Sequence, residues 1–152
     1  MKPITAFLLT TAGFLTVAAV EDPPPALAAA SERVNAAWGA TTAEGCRTAI
    51  EEGFAAGTEL YLSTEDFAGV LPRSAMLAMA EQLGDGGLER SWTTDEESWL
   101  LGERMAVRKA RERLREQGGE RTVLTTNVFE KRGDRWLLVH AHHSEVAPED
   151  GR

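Results

Sequence analysis

The sequence predicts an α+β fold from three observations. Apolar residues recur at helical spacing in the first third of the chain. There Val34, Trp38, Cys46, Ile50 and Phe54 lie four residues, or multiples of four, apart. Val123 to Lys131 is rich in β-branched residues. Gly133-Asp134 then turns that run into Trp136–Ser144, the strongest hairpin signal in the chain.

Composition bounds the functional classes. The 152 residues fit one ordinary domain, and 43% hydrophobic with 26% charged content is that of a globular chain. Sixteen basic against twenty-four acidic residues give a net charge of −8, which argues against nonspecific binding to nucleic acid or anionic membrane. A single cysteine excludes an intramolecular disulfide, a CxxC redox pair and a multi-cysteine zinc site.

The N-terminus reads as a targeting segment. Lys2 precedes an apolar run from Ile4 to Val20, followed by Glu21, Asp22, three prolines and Ala26-Leu27-Ala28. A basic start, an apolar core and an Ala-x-Ala site mark residues 1–28 as a signal peptide, with cleavage after Ala19 as a second position. The run is at the lower edge of bilayer-spanning length, so an uncleaved anchor is the alternative. The expectation is an exported protein, periplasmic or secreted, without stable membrane insertion after cleavage.

The elements follow in order. Ser31 to Gly57 reads as helical with Ser31 as cap, and the glycines at 39 and 45 predict a kink or two helices. Leu60, Tyr61 and Leu62 suit a short strand within Glu59–Phe67, and Gly69 and Pro72 punctuate a turn. Ser74 caps a short helix through Leu83, ended by Gly84, Gly86 and Gly87. Leu88–Thr94 and Ser98–Leu101 are short strand candidates. Arg104–Gln117 is divided: its Ala, Arg, Glu and Leu content favours helix, whereas its alternation and its place between strands favour a hairpin arm. Its basic residues are interleaved with Glu112 and Glu116 and lack aromatic neighbours for base stacking, so it reads as a solvated face.

All three histidines fall on the last predicted strand. Strand alternation puts Trp136, Leu138, His140, His142 and Ser144 on one face, and Leu137, Val139, Ala141 and His143 on the other. Two histidines beside a hydroxyl can hold a metal, serve as a general base, or tie the strand to its neighbours. Motif spacing supplies no third metal ligand. Asp66, Asp95 or Glu130 would have to complete a site, and the expectation is no metal and no cofactor. Cys46 reads as a small buried apolar residue.

The run Gly133-Asp134-Arg135-Trp136, then His140-Ala141-His142-His143-Ser144, resembles the final strand of SnoaL-like domains. These belong to the nuclear-transport-factor-2-like (cystatin-like) superfamily, which includes ketosteroid isomerase and the association domain of a calmodulin-dependent kinase. Asn35-Ala36-Ala37-Trp38 is similar to the family's first helix. The stretch from Tyr61 to Met76, with Phe67, Gly69, Leu71 and Arg73, is similar to its strand, turn and helix start. Leu101-Gly102-Glu103-Arg104-Met105-Ala106-Val107 is similar to a following strand, with Glu103 where Asp is usual. Gly45 is followed by Cys46 where the family has Gly-Asp.

The resemblance implies a SnoaL-like domain over residues 31–146, with 147–152 a flexible tail. It implies that 104–117 is a strand of a strongly curved antiparallel sheet wrapped around the N-terminal helices, leaving a conical pocket. It also implies a homodimer. The tryptophans and histidines suggest that the pocket binds a small, partly apolar ligand through His140, His142, Trp38, Tyr61, Trp99, Trp136 and Ser144. The alternative is a small enzyme of the ketosteroid isomerase or polyketide cyclase type, with pocket histidines as general acid and base and with no assignable catalytic set.

Overall fold

The computed structural model describes residues 18–20, 22–64, 67–83 and 89–146. The expected signal core up to residue 17, Asp66, the glycines at 84, 86 and 87, and the 147–152 tail lie outside the described residues. The architecture is α+β: three helices pack on one face of a curved, unclosed sheet.

Helix α1 (Pro25–Trp38) starts six residues before the expected cap, with Pro25 at its first turn. Proline is pre-set for that position and lacks an N–H that would go unused there. Ser31 is therefore a buried residue within the helix and caps nothing. Leu27, inside the proposed cleavage motif, is 0% exposed and belongs to the core. Helix α2 (Ala43–Gly53) is capped by Thr42, whose Oγ1 accepts from the Gly45 N–H at 3.2 Å. The expected break between Gly39 and Gly45 is thus present as a new helix start, and α2 ends four residues before Gly57.

Strand β1 (Ala18–Val20) is a short edge segment, and β2 (Phe54–Ser63) starts where helix was expected. The turn expected at Gly69 and Pro72 is instead strand β3 (Ala68–Pro72), antiparallel to β2. The reversal lies just before it, where the Thr64 N–H donates to the Phe67 carbonyl at 2.7 Å. Helix α3 (Arg73–Glu81) follows, with Pro72 in place of Ser74 at its N-cap. The two short candidates merge into β4 (Ser91–Leu101), irregular in register between Thr94 and Glu96. Residues 105–116 form β5 (Met105–Glu116), so long-range pairing overrides helix propensity there. Strands β6 (Gly119–Arg132) and β7 (Arg135–Val146) make the predicted hairpin, with Gly133 at φ +62° in its turn.

Sheet order is β1-β4-β5-β6-β7-β2-β3. Pairing is antiparallel throughout except that β2 runs parallel to β7, a departure from the expected all-antiparallel sheet. Among the described residues, no helix is long and apolar enough to cross a membrane. The core lies between helices and sheet, built on Leu27, Val34, Ile50, Phe54, Leu60, Trp99, Phe129, Trp136 and Leu138.

Candidate functional site

Residues on the sheet's inner face line up in rows across strands. Trp99, Arg108, Asn127, Ala141 and Leu60 are successive partners in one row. Glu97, Ala110, Thr125, His143 and Leu62 form the next, and Thr94, Glu112, Val123 and Glu145 the one after. Trp92, Leu114 and Arg121 follow toward the open end of the sheet.

A cavity of about 280 Å³ occupies that end, between the sheet and all three helices. Its walls are apolar, from Ile50, Leu60, Leu62, Leu71, Met76 and Leu114 among others. Charged side chains enter its lining only as ion pairs: Arg90 Nε lies 3.0 Å from Glu116, and Arg121 lies 2.5 Å from Glu116 and 3.6 Å from Glu145.

Three rings meet in the cavity wall. His143 is 4.8 Å from Trp38 and 5.5 Å from Trp92, centroid to centroid, and the two indoles are 6.5 Å apart. Trp38 closes α1, and Trp92 is the second residue of β4. The two elements approach so closely that a Cβ on Gly39 would lie 3.3 Å from the Trp92 Cβ. Each ring carries a buried polar atom without a partner: Trp38 Nε1, Trp92 Nε1 and His143 Nε2. Burial, then His142 and Arg108, push the His143 imidazole down to about 3, so it is neutral at physiological pH.

The expected facing of the histidines is reversed. Val128 pairs with His140 and Phe129 with Leu138, so Val139 is an extra residue in β7, a β-bulge. Trp136 and Leu138 face inward before it; Ala141 and His143 do so after it. One inserted residue exchanges the faces, because side chains alternate with period two. His140, His142 and Ser144 are therefore absent from the cavity lining, where they were expected. His142 Nε2 and Ser144 Oγ are 3.0 Å apart on exposed surface, and His140 is 5.2 Å from Tyr61, itself 44% exposed. Trp99 and Trp136 are core residues, Trp99 held by an Nε1 hydrogen bond to Glu97 at 3.2 Å. Of the expected site residues, the cavity gathers only Trp38.

Trp92 and His143 were missed. The apolar pattern Trp136, Leu138, Ala141 carries a trace of the phase change, but Ala suits either face. Cys46 also lines the cavity, as the expected small buried residue; burial raises its thiol above the ordinary range, and the charge of Arg90 opposes this less strongly.

Beneath the cavity lies a buried ionic cluster. Arg108, 1% exposed, donates to Glu97 at 2.6 Å, Glu112 at 2.9 Å and Thr94 at 2.9 Å. Asn127 and Thr125, beside it, have buried side-chain atoms without partners. Among the described residues, no three His, Cys, Asp or Glu side chains are grouped to hold a metal.

Comparison with known proteins agrees with this architecture. Residues 94–148 match the family model for the SnoaL-like domain. A nuclear-transport-factor-2-like protein from Cytophaga hutchinsonii superposes with a TM-score of 0.66 at 7% identity, covering 79% of this chain and 95% of that one. One from Rhodospirillum rubrum, described as of unknown function in nutrient uptake, has a TM-score of 0.63 at 21% identity, covering 80% and 98%. A Caulobacter vibrioides protein with a cystatin-like fold has a TM-score of 0.63 at 12% identity, covering 82% and 89%. At these identities the structures speak for the fold alone. No curated protein matches the sequence. Residues 94–148 are thus similar to the SnoaL-like domain, and the chain has the fold seen in nuclear-transport-factor-2-like, cystatin-like structures.

Proposed function

We propose that this chain is an exported pocket protein that binds a small, partly apolar ligand in the cavity between helices and sheet. The observation that carries the reading is the cavity itself: apolar walls whose lining side chains include a few unpartnered buried nitrogens are the usual composition of a ligand site. Binding is favoured over isomerase or cyclase chemistry by the carboxylates. Among the described residues the cavity's acids are Glu116 and Glu145, both engaged by arginine, where a general base would have to be free to take a proton. Native mass spectrometry of protein purified from its own compartment tests the reading. The expected result is a bound small molecule that is lost when Met76→Trp fills the cavity.

Export rests on the apolar run after Lys2. Because Leu27 is a core residue, cleavage after Ala19, which removes two residues of the short edge strand β1, is preferred to cleavage after Ala28, which would cut into α1. Intact mass of the extracytoplasmic protein should therefore show loss of the residues up to Ala19. The homodimer rests on the outer sheet face, where Leu124 and Met105 are each 45% exposed and uncovered by the helices.

A further inference from the structure

We propose that Trp38, Trp92 and His143 form a hydrogen-bonding clamp for one oxygen atom of an uncharged ligand, a small carbonyl or hydroxyl compound with an apolar body. This rests on the cavity being a ligand site and names the chemistry that the site selects.

Two kinds of observation carry it. The first is the unmet hydrogen-bonding capacity of the three rings. An indole N–H is a donor only, and a neutral imidazole offers one donor and one acceptor. All three rings line the cavity within 6.5 Å of one another, and each leaves a buried nitrogen unpartnered. Buried polar groups are normally paired, and leaving one unpaired is costly. An oxygen with two lone pairs accepts from both indoles, and a hydroxyl also donates to the imidazole; a carbonyl accepts from two of the three rings.

The second is charge. Among the described residues, each cation at the cavity has a carboxylate counter-charge. Arg108 is committed to Glu97 and Glu112, Arg121 lies against Glu116 and Glu145, and Arg90 is ion-paired with Glu116, although its buried Nε makes no hydrogen bond. A carboxylate at the clamp would be buried against neutral donors without a counter-charge, and an ammonium would meet two indole N–H groups of the wrong polarity. Size follows from volume. At roughly 30 Å³ per water-sized group, about 280 Å³ holds roughly nine non-hydrogen atoms.

The test uses four probes of that size on the purified protein at neutral pH: ethylbenzene, phenylethanol, phenylacetate and phenylethylammonium. Calorimetry and tryptophan fluorescence report binding. Phenylethanol should bind at least tenfold more tightly than each of the other three. His143→Phe should bring its affinity down to that of ethylbenzene while leaving ethylbenzene unchanged, and Trp92→Phe should lower it in part. If ethylbenzene binds as well as phenylethanol, the cavity stands and the clamp is overturned. If phenylacetate or phenylethylammonium binds as tightly, the uncharged class is overturned. If no probe binds and Met76→Trp leaves the native mass spectrum unchanged, the pocket reading itself fails. The wild-type series decides the case even if His143→Phe does not fold.

Discussion

Thr58 Oγ1 lies 2.6 Å from the carbonyl oxygen of Leu138, the residue just before the bulge in β7. Thr58 is 1% exposed, and its hydroxyl is also 2.8 Å from the Ala55 carbonyl, so its single proton serves one acceptor at a time. The β2–β7 pairing breaks between Phe54 and Glu59, opposite this point. The hydroxyl ties β2 to the Leu138 carbonyl at the point where both ladders of β7 shift register, and so supports the irregularity that turns His143 inward.

Thr58→Val keeps the side-chain shape and removes that donor. It should destabilise the fold by about 1–3 kcal/mol, the cost of an unsatisfied buried carbonyl. Chemical denaturation measures this. A change within error would mean that the bulge holds without the hydroxyl.

Arg108 and Glu112 are 1% and 0% exposed, and each is the other's buried counter-charge. Arg108→Met should cost about 3–5 kcal/mol, because it leaves Glu112 charged and unpaired in the core. The double replacement Arg108→Met with Glu112→Gln should recover part of that loss, which a double-mutant cycle in urea would read. Failure to recover any would place the loss in packing instead of charge.

Acid sensitivity should come partly from His143. Its folded value, about 3, lies below the ordinary 6.5, so between those limits the unfolded chain takes up a proton that the folded one refuses. The contribution is therefore nil above about pH 6.5. Stability falls as pH drops from there toward 3, by up to about 1.4 kcal/mol per pH unit. The charged and titratable neighbours that depress the imidazole are His142 and Arg108, after burial itself. His143→Gln should flatten this part of the stability profile relative to wild type. Parallel profiles would show that the imidazole is hydrated or already protonated in the fold.

The other two histidines should be dispensable for the cavity. His140→Gln and His142→Gln should each change stability by less than about 0.5 kcal/mol and phenylethanol affinity by less than twofold, as expected of surface positions. A tenfold loss in either variant would return β7 to an unbulged register.

The dimer can be tested from the outer face. Leu124→Glu places a charge on the exposed sheet surface without touching the core and should convert a dimer into a monomer by light scattering. A monomer in the wild type at micromolar concentration would overturn the dimer.

Much was legible in the chain itself. Helical spacing located α1 and α2, Gly133-Asp134 located the final hairpin, and the SnoaL-like resemblance placed Arg104–Gln117 in the sheet against its local propensity. Those features are encoded in consecutive residues or in the order of motifs. The site was not encoded in that way. The inward side of β7 depends on whether one extra residue is accommodated at Val139, and that depends on partners from elsewhere in the chain: Val128 and Phe129 on β6, and Thr58 on β2. Likewise Trp92 joins Trp38 only because the end of α1 lies against the start of β4. The sequence determined that histidines and tryptophans would be concentrated in this domain. Only the tertiary structure decided which of them share the cavity, because alternation has period two and a single-residue insertion, stabilised from another strand, reverses it.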